Sequence, residues 1–452
     1  MAGSKQWSTN VLFVITAIGT EAGIANFWKF TYLAGQNGGG TFVTLYFLAL
    51  IAIAIPALVA EILLGRHGGR SVAGSMRVFV ERDGVAPFWK SFAFIALSCT
   101  FLILSFYFVI CGWMLRYFVL AARGSFDRIT AEGATALNQA FLSDTTSMLA
   151  YSGLFILATA IVVASGVNKG IERVSGFLTP LRFVILLGLC IYAATVGNLS
   201  AAVRFLLTFR WHSLSPQVLL LALGQAFFSL GIGCGVLMTV GAYMKAEYSI
   251  VRSVITVAFA QGMVAVLAGF SIFPLVFAYG LEPSQGPALV FVTLPVAFAR
   301  MPHGQLFGTL MFLLLSFAGL TATIVILEAL IAYLEEATRF SRAAITYATG
   351  AVIWVAGIPT ALSFGPWRHF YPLERLGLTS DRTPFSLVDF LTSNILLPVG
   401  GLMIVALAGW VLPRATVCRE LGIGNGVVFT IWYAAIRYVV PVAVLVVFIA
   451  LQ

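Results

Sequence analysis

The stretch Ile15–Phe30, ITAIGTEAGIANFWKF, lies in an apolar run long enough to cross a membrane, yet it carries residues such a run avoids. Gly19 and Gly23 flank Glu21. A glycine inside a helix costs up to about 1 kcal/mol relative to alanine. An acid at the bilayer centre costs about 2.5–3.5 kcal/mol on insertion scales, so it is rarely idle. A second such stretch is Gln225–Met238, QAFFSLGIGCGVLM, with glycines at 231, 233 and 235. Two readings of these glycines stay open on spacing alone. Small residues let helices pack closely, and paired broken helices in corresponding halves of a chain mark a mid-bilayer binding site. The GIGCG run is not a dinucleotide fingerprint, because it lies within a membrane run with no strand before it.

Working outward, the 452 residues are 60% hydrophobic and 10% charged, where a soluble domain is about 25% charged. Lipid is the solvent that fits. The net charge of +9 is spread thinly between apolar runs and forms no basic stripe, which excludes a nucleic-acid partner. Taking about 20 apolar residues per crossing, the expected spans are 11–34, 41–64, 88–121, 148–165, 174–196, 216–244, 250–279, 304–338, 343–363, 385–411 and 429–450. The end of the long 304–338 run, with Glu335 and Glu336, is expected to protrude on the cytoplasmic side. With the N-terminus inside, fourteen Lys and Arg fall on the inner side and ten on the outer, and the first inner loop decides the orientation. The C-terminus is then outside. The first apolar run lacks a small-residue cleavage site and reads as a retained helix.

The five cysteines have no CxxC spacing, and four lie in apolar runs, so no disulfide framework is expected. The histidines, His67, His212, His303 and His369, fall in polar connections without an HExxH or Cys/His cluster. No paired-carboxylate, His or Cys constellation points to an enzyme.

Seven ordered motifs then carry a resemblance over nearly the whole chain from Trp7 onward. They are GIANFWKF with GQNGGG (Gly35–Gly40), IPALVAEILLGRHGGRS (Ile55–Ser71), SFYFVICGW (Ser105–Trp113), GVNKGIERVSGFLTP (Gly166–Pro180), GQAFFSLGIGCG (Gly224–Gly235), FAGLTATI (Phe317–Ile324) and DFLTSNILLPVGG (Asp389–Gly401). The chain resembles the neurotransmitter:sodium symporters, most closely their shorter bacterial amino-acid-transporting members, with the usual twelfth helix absent. The resemblance implies an all-α membrane protein of LeuT-like fold. One transporter domain, 1–452, would hold two inverted five-helix repeats, 11–196 and 216–411, with discontinuous helices 1 and 6, plus an extra C-terminal helix at 429–450.

The resemblance also implies ligand sets. The first sodium would take the Glu21 carbonyl and the side chains of Asn26, Ser229 and Gln261, with Gln261 in place of the usual Asn or Asp. Oxygen ligands suit a hard cation. The second sodium would take carbonyls of Gly19, Ala22 and Ala318 and the Thr321 hydroxyl. Ala322 stands where a serine is usual, leaving four ligands, so this site is expected to be weak, hydrated or lost. Substrate contacts would come from Glu21, Gly23, Ile24, Ala25, Tyr107, Ser229 and Gly231, with Phe228 as lid and Ile103 and Ile326 as walls. Gly23 stands where amine-transporting relatives carry an Asp, which argues for a substrate bringing its own carboxylate. Gly231 and Cys234 leave room for a bulky apolar side chain.

A chloride-binding pattern is partly present in Tyr46, Gln225, Ser229 and Gln261, with Ala265 replacing a Ser or acid. Glu21 has three readings: a fixed negative charge near the first sodium, a partner for a cationic substrate, or a proton carrier. The first is favoured. Lys29 and Asp389 match an outer gate. Trp7 and Glu336, with Lys5, match parts of an inner one. Gly170 and Pro180 bracket a stretch that unwinds in relatives. Glu61 is expected to pair within the protein, with no transport role.

The function implied is sodium-coupled import of a neutral, apolar or aromatic amino acid through the cytoplasmic membrane, using one or two sodium ions, by a monomer or loose dimer. The alternatives are a proton-coupled or sodium-independent amino-acid transporter, and a non-transporting amino-acid sensor on the same fold.

Overall fold

In hydrocarbon every backbone N–H and C=O must be satisfied within the chain, so apolar runs of this length fold as helices. A computed structural model describes residues 6–24, 26–281, 289–374 and 381–450, and the described residues contain helices and no strand. In chain order the elements used below are α1 (Asn10–Glu21), α2 (Thr31–Gln36), α3 (Gly40–Gly68), α4 (Pro87–Ala122), α5 (Thr145–Ala164), α6 (Val167–Val196) and α7 (Pro216–Ser229). They continue with α8 (Val236–Ala242), α9 (Ile250–Ala278), α10 (Gly304–Ala337), α11 (Arg342–Ser363), α12 (Pro384–Val411) and α13 (Val427–Ala450).

Nine of these, α3 to α6 and α9 to α13, are long and apolar enough to cross a membrane. The first and sixth expected spans are instead each carried by two shorter helices, α1 with α2 and α7 with α8. Large apolar side chains such as Phe94, Ile191, Phe259, Val352 and Ile449 point outward from the long helices, as lipid-facing residues do.

Two boundaries differ instructively from the expectation. α3 runs on to Gly68 and stops where Gly69 adopts φ +64°, a left-handed C-cap open to glycine. α6 begins at Val167 rather than 174, because a π-turn over Val167–Glu172 carries the helix through Gly170. The segment expected to be unwound between Gly170 and Pro180 is therefore helical in this conformation. Pro180 sits inside the continuous helix.

α10 is the central strut, packed against α4, α5, α6 and α8. Small residues permit the approach: a Cβ on Gly319 would lie 2.7 Å from Cys111 Sγ of α4 and 3.3 Å from Phe155 of α5. α8 lies on α3 just as closely, since a Cβ on Gly241 would meet the Ile62 carbonyl oxygen at 2.6 Å. Close packing through glycine thus operates at Gly319 and Gly241, outside the five glycines for which the two readings stood open.

At the end of the bundle expected to face the cytoplasm, His67 is not in a polar connection. It lies buried in the last turn of α3, stacked on Phe79. Its Nε2 is 2.9 Å from Asp83 Oδ2, and its Nδ1 is 3.2 Å from Glu420 Oε1. Arg66 Nη1 donates to the Tyr248 carbonyl at 2.8 Å, and Nε lies 3.4 Å from Glu420 Oε2. The cluster ties α3 to the helix Arg414–Leu421. His67, and then the Arg66 guanidinium, hold the Glu420 carboxyl below the usual carboxylate range against its partial burial. A depressed folded value means stabilisation that is present above the ordinary carboxylate pKa and lost as pH falls through the lower one. Glu420→Gln is therefore expected to lower the thermal midpoint in detergent at neutral pH. The gap to the parent should close as pH drops below about 4.

Candidate substrate and ion site

The break in the first span follows from its backbone bonds. The Ala22 N–H still donates to the Ile18 carbonyl at 2.9 Å, but the Gly23 N–H turns back to the Glu21 carbonyl at 2.7 Å. The Gly19 carbonyl, which an unbroken helix would pair with that N–H, is released. Helix resumes through a π-turn, Asn26–Phe30, into α2. A Cβ on Gly23 would lie 3.1 Å from the Tyr107 hydroxyl and 3.9 Å from Ala322 Cβ, so the backbone here closely approaches α4 and α10.

The sixth span breaks between Ser229 and Val236, where Gly231, Gly233 and Gly235 take φ of +51°, +106° and +73°. Residues with a Cβ are strained in that region. Glu61 braces the break: its carboxylate accepts the N–H groups of Gly233 at 3.2 Å and Met238 at 3.4 Å. Thr100 Oγ1 donates to the Cys234 carbonyl at 2.9 Å. Glu61 thus sits at the N-terminus of α8, where an acid is favoured. The two breaks face each other, for a Cβ on Gly231 would lie 3.7 Å from Glu21 Oε2 and 3.9 Å from Cys234 Sγ.

Beside them Asn26 and Gln261 form a reciprocal amide pair, each N–H donating to the other's oxygen at 3.0 Å. Gln261 Nε2 also donates to the Ser229 carbonyl at 3.1 Å, and Tyr46 Oη lies 3.3 Å from Ser229 Oγ. Asn26, Ser229, Gln261 and Tyr46 are all buried. The side chains assigned to the first sodium therefore come together. The nearby Gln225 amide is buried, and among the described residues neither its oxygen nor its nitrogen has a partner.

At the position assigned to the second sodium, Thr321 Oγ1 donates to the Gly19 carbonyl at 2.8 Å. The guanidinium of Arg182, from α6, lies among the same groups. Nη1 donates to Thr321 Oγ1 at 3.0 Å and to the Gly19 carbonyl at 3.4 Å, and Nη2 donates to the Ile18 carbonyl at 3.5 Å. Ala22, Ala318 and Ala322 are buried around it and add no side-chain oxygen.

Ile24 is buried, and Ile103, Tyr107, Phe228 and Ile326 are half-buried against the core. Ala25 lies outside the described residues, as does Lys5. Lys29 and Asp389 lie close enough for their charges to interact. Lys29 Nζ lies 4.1 Å from the Phe228 ring centroid, while Asp389 accepts from Ser393 Oγ at 3.1 Å. Lys29, a point charge without the arginine fork, rests over the Phe228 ring. Glu336, assigned to the inner gate, accepts from the Ser71 N–H at 2.8 Å and hydroxyl at 2.7 Å. Trp7 Nε1 donates to the Val240 carbonyl at 2.9 Å, and its N–H donates to the Tyr243 carbonyl at 3.1 Å, sewing the N-terminal segment to the end of α8.

Sequence reasoning missed three groups. Arg182 was legible as a lone charge within FLTPLRFVILL (Phe177–Leu187), belonging to neither side's basic loops; such a charge is functional by default. Glu172 accepts from the Ser8 N–H and hydroxyl, both at 2.6 Å, and holds the N-terminal segment to α6. Buried Glu328 accepts from Tyr243 Oη at 3.0 Å and pairs with Arg342, which also donates to Glu335 at 2.7 Å. Glu328 was legible by the same signal, a lone charge within ATIVILEALIAYL (Ala322–Leu334), whereas nothing local marks Glu172, whose partner Ser8 lies far along the chain.

Two facing helix breaks inside an all-helical membrane bundle, lined by polar groups at mid-span, define a membrane transporter rather than an enzyme. The model of the sodium:neurotransmitter symporter family matches residues 4–129 and 137–370, and the chain belongs to that family. An uncharacterized sodium-dependent transporter of Bacillus subtilis is 33% identical over 99% of this chain and 97% of its own length. A Haemophilus influenzae sodium-dependent transporter is 32% identical over 99% and 98%. The crystal structure of MhsT in complex with L-phenylalanine, 35% identical, superposes with a TM-score of 0.90 over 100% of both chains. The fold is accordingly LeuT-like.

Removing the brace should expose its role. Glu61→Ala strands two buried N–H donors, at about 1–3 kcal/mol each. A clear drop in the detergent thermal midpoint is expected, with Glu61→Gln, which retains one acceptor, falling between the two.

Proposed function

We propose that this sodium-dependent transporter imports an apolar or aromatic amino acid together with sodium through the cytoplasmic membrane, with its N-terminus inside. The carrying observation is the juxtaposition of the two breaks with the Asn26–Gln261–Ser229 cluster. The breaks offer freed backbone groups to a zwitterion, and the cluster offers oxygens to a cation beside its carboxylate. Each charge then lowers the desolvation cost of the other, and this couples the two binding events. The L-phenylalanine bound to MhsT and the small Gly231 and Cys234 support a bulky apolar side chain. Rocking of the first two and the sixth and seventh spans against the rest, with the repeats at 11–196 and 216–411, would supply alternating access.

Glu21 is read as a fixed negative charge near the sodium. Its carboxylate approaches Gly231 within the site, where relatives described as sodium- and chloride-dependent would rely on an anion. The unpartnered Gln225 amide leaves room for chloride in a protein that loses this acid. Glu21→Gln is expected to abolish uptake or to make it depend on chloride. The measurement is labelled phenylalanine uptake into proteoliposomes with an inward sodium gradient, in chloride or in gluconate. Full activity of the variant in gluconate would remove the fixed-charge role.

The same assay separates the alternatives. A proton-coupled carrier responds to an imposed pH gradient and not to sodium. A sensor binds ligand without flux. Asn26→Ala should raise the sodium concentration for half-maximal uptake about tenfold, the loss of roughly 1.4 kcal/mol in ion binding. An unchanged sodium dependence would dismiss the first-site assignment.

A further inference from the structure

The second cation position already contains a cation. Arg182 is 2% exposed, at mid-helix in α6, and among the described residues every hydrogen bond of its guanidinium goes to an uncharged oxygen: two carbonyls of the last turn of α1 and the Thr321 hydroxyl of α10. A buried arginine is ordinarily matched to a carboxylate. Here the compensating charge is instead the negative end of α1, where unpaired carbonyls collect. This is the environment expected of an ion site, with the ion replaced by a side chain.

Three features fit that replacement. The Gly19 carbonyl and Thr321 Oγ1 are the ligands the family resemblance assigns to sodium here, and the guanidinium uses both. Ala322, in place of a hydroxyl residue, removes an oxygen that sodium would need and an arginine does not. The planar fork spans several acceptors at once, as a compact ammonium could not. A sodium ion placed on the same oxygens would face a like charge a few ångströms away, without free lone pairs directed at it.

We propose that the Arg182 guanidinium is the resident cation of the second site, so that this protein binds no sodium there and carries at most one sodium per substrate, at Asn26, Ser229 and Gln261. The proposal deepens the sodium-symport reading and rests on it for the first ion, but not for the state of the second site.

The test is saturation binding of radiolabelled sodium to the purified full chain. The parent is expected to saturate at about one sodium per chain, and Ala322→Ser alone should leave that number unchanged. Arg182→Met combined with Ala322→Ser empties the position and restores the missing oxygen, so it should gain about one sodium. Arg182→Lys, which keeps the charge, should stay at the parent's value. Two sodium ions in the parent would overturn the proposal whatever the variants do. So would a double variant that elutes as the parent does yet gains none. A parent with no bound sodium and a double variant with one would support the arginine's role while removing the sodium-coupled reading of the first site.

Discussion

The structure depends on what satisfies the carbonyls released where the first span breaks. In a bilayer an unpaired carbonyl costs several kcal/mol and has no water to turn to. α1 nevertheless ends at mid-span, its last bonds turned aside by Gly23. Thr321 from α10 and Arg182 from α6 supply the missing donors. The break is stable only because two other helices are held at the right distance to serve it. Much of the surrounding packing provides that distance: Gly319 lets α4 and α5 reach α10, and Gly23 lets Tyr107 reach the break.

The sixth span meets the same constraint with the opposite polarity. Its release leaves N–H groups at the start of α8, and an acid, Glu61, accepts them. The two solutions are complementary, a cation at a helix C-terminus and an anion at a helix N-terminus. Both are side chains buried in helices outside the broken spans. Between the breaks lie Glu21 and the amide cluster, the groups assigned to ligands in the proposed function.

Most of this was legible in the residues. Gly19, Gly23 and the 231–235 glycines announced the breaks, and the long apolar runs placed the continuous helices to within a few residues. Asn26, Ser229 and Gln261 were assigned together and lie together. Gate contacts were not legible, because a gate is a property of one conformation. Lys29 has both an aromatic face and an acid within its reach, and which one it meets depends on how the helices stand. Arg182 was legible in principle. It was passed over because the family pattern directs attention to the oxygens of the second site and away from a helix that contributes none. A lone charge in an apolar run is a stronger physical signal than the motif around it.

A fixed cation also constrains how the cycle runs. Arg182 is anchored on α6, while two of its three acceptors belong to α1. In the proposed alternating-access cycle, rocking the first span against the rest would loosen a contact that a free ion would simply leave behind. The distances suit that demand. The arginine's bonds to the α1 carbonyls are long, at 3.4 and 3.5 Å, while the neutral Thr321 bond to Gly19 is 2.8 Å and the arginine's own bond to Thr321 is 3.0 Å. Hydrogen bonds weaken with such lengthening. The guanidinium is thus held more closely by α10 than by α1. In that arrangement the second site compensates the α1 terminus in every conformation that brings it near. On the proposed reading, the ion that comes and goes would be the one at Asn26, beside the substrate, where its arrival and the substrate's would reinforce each other.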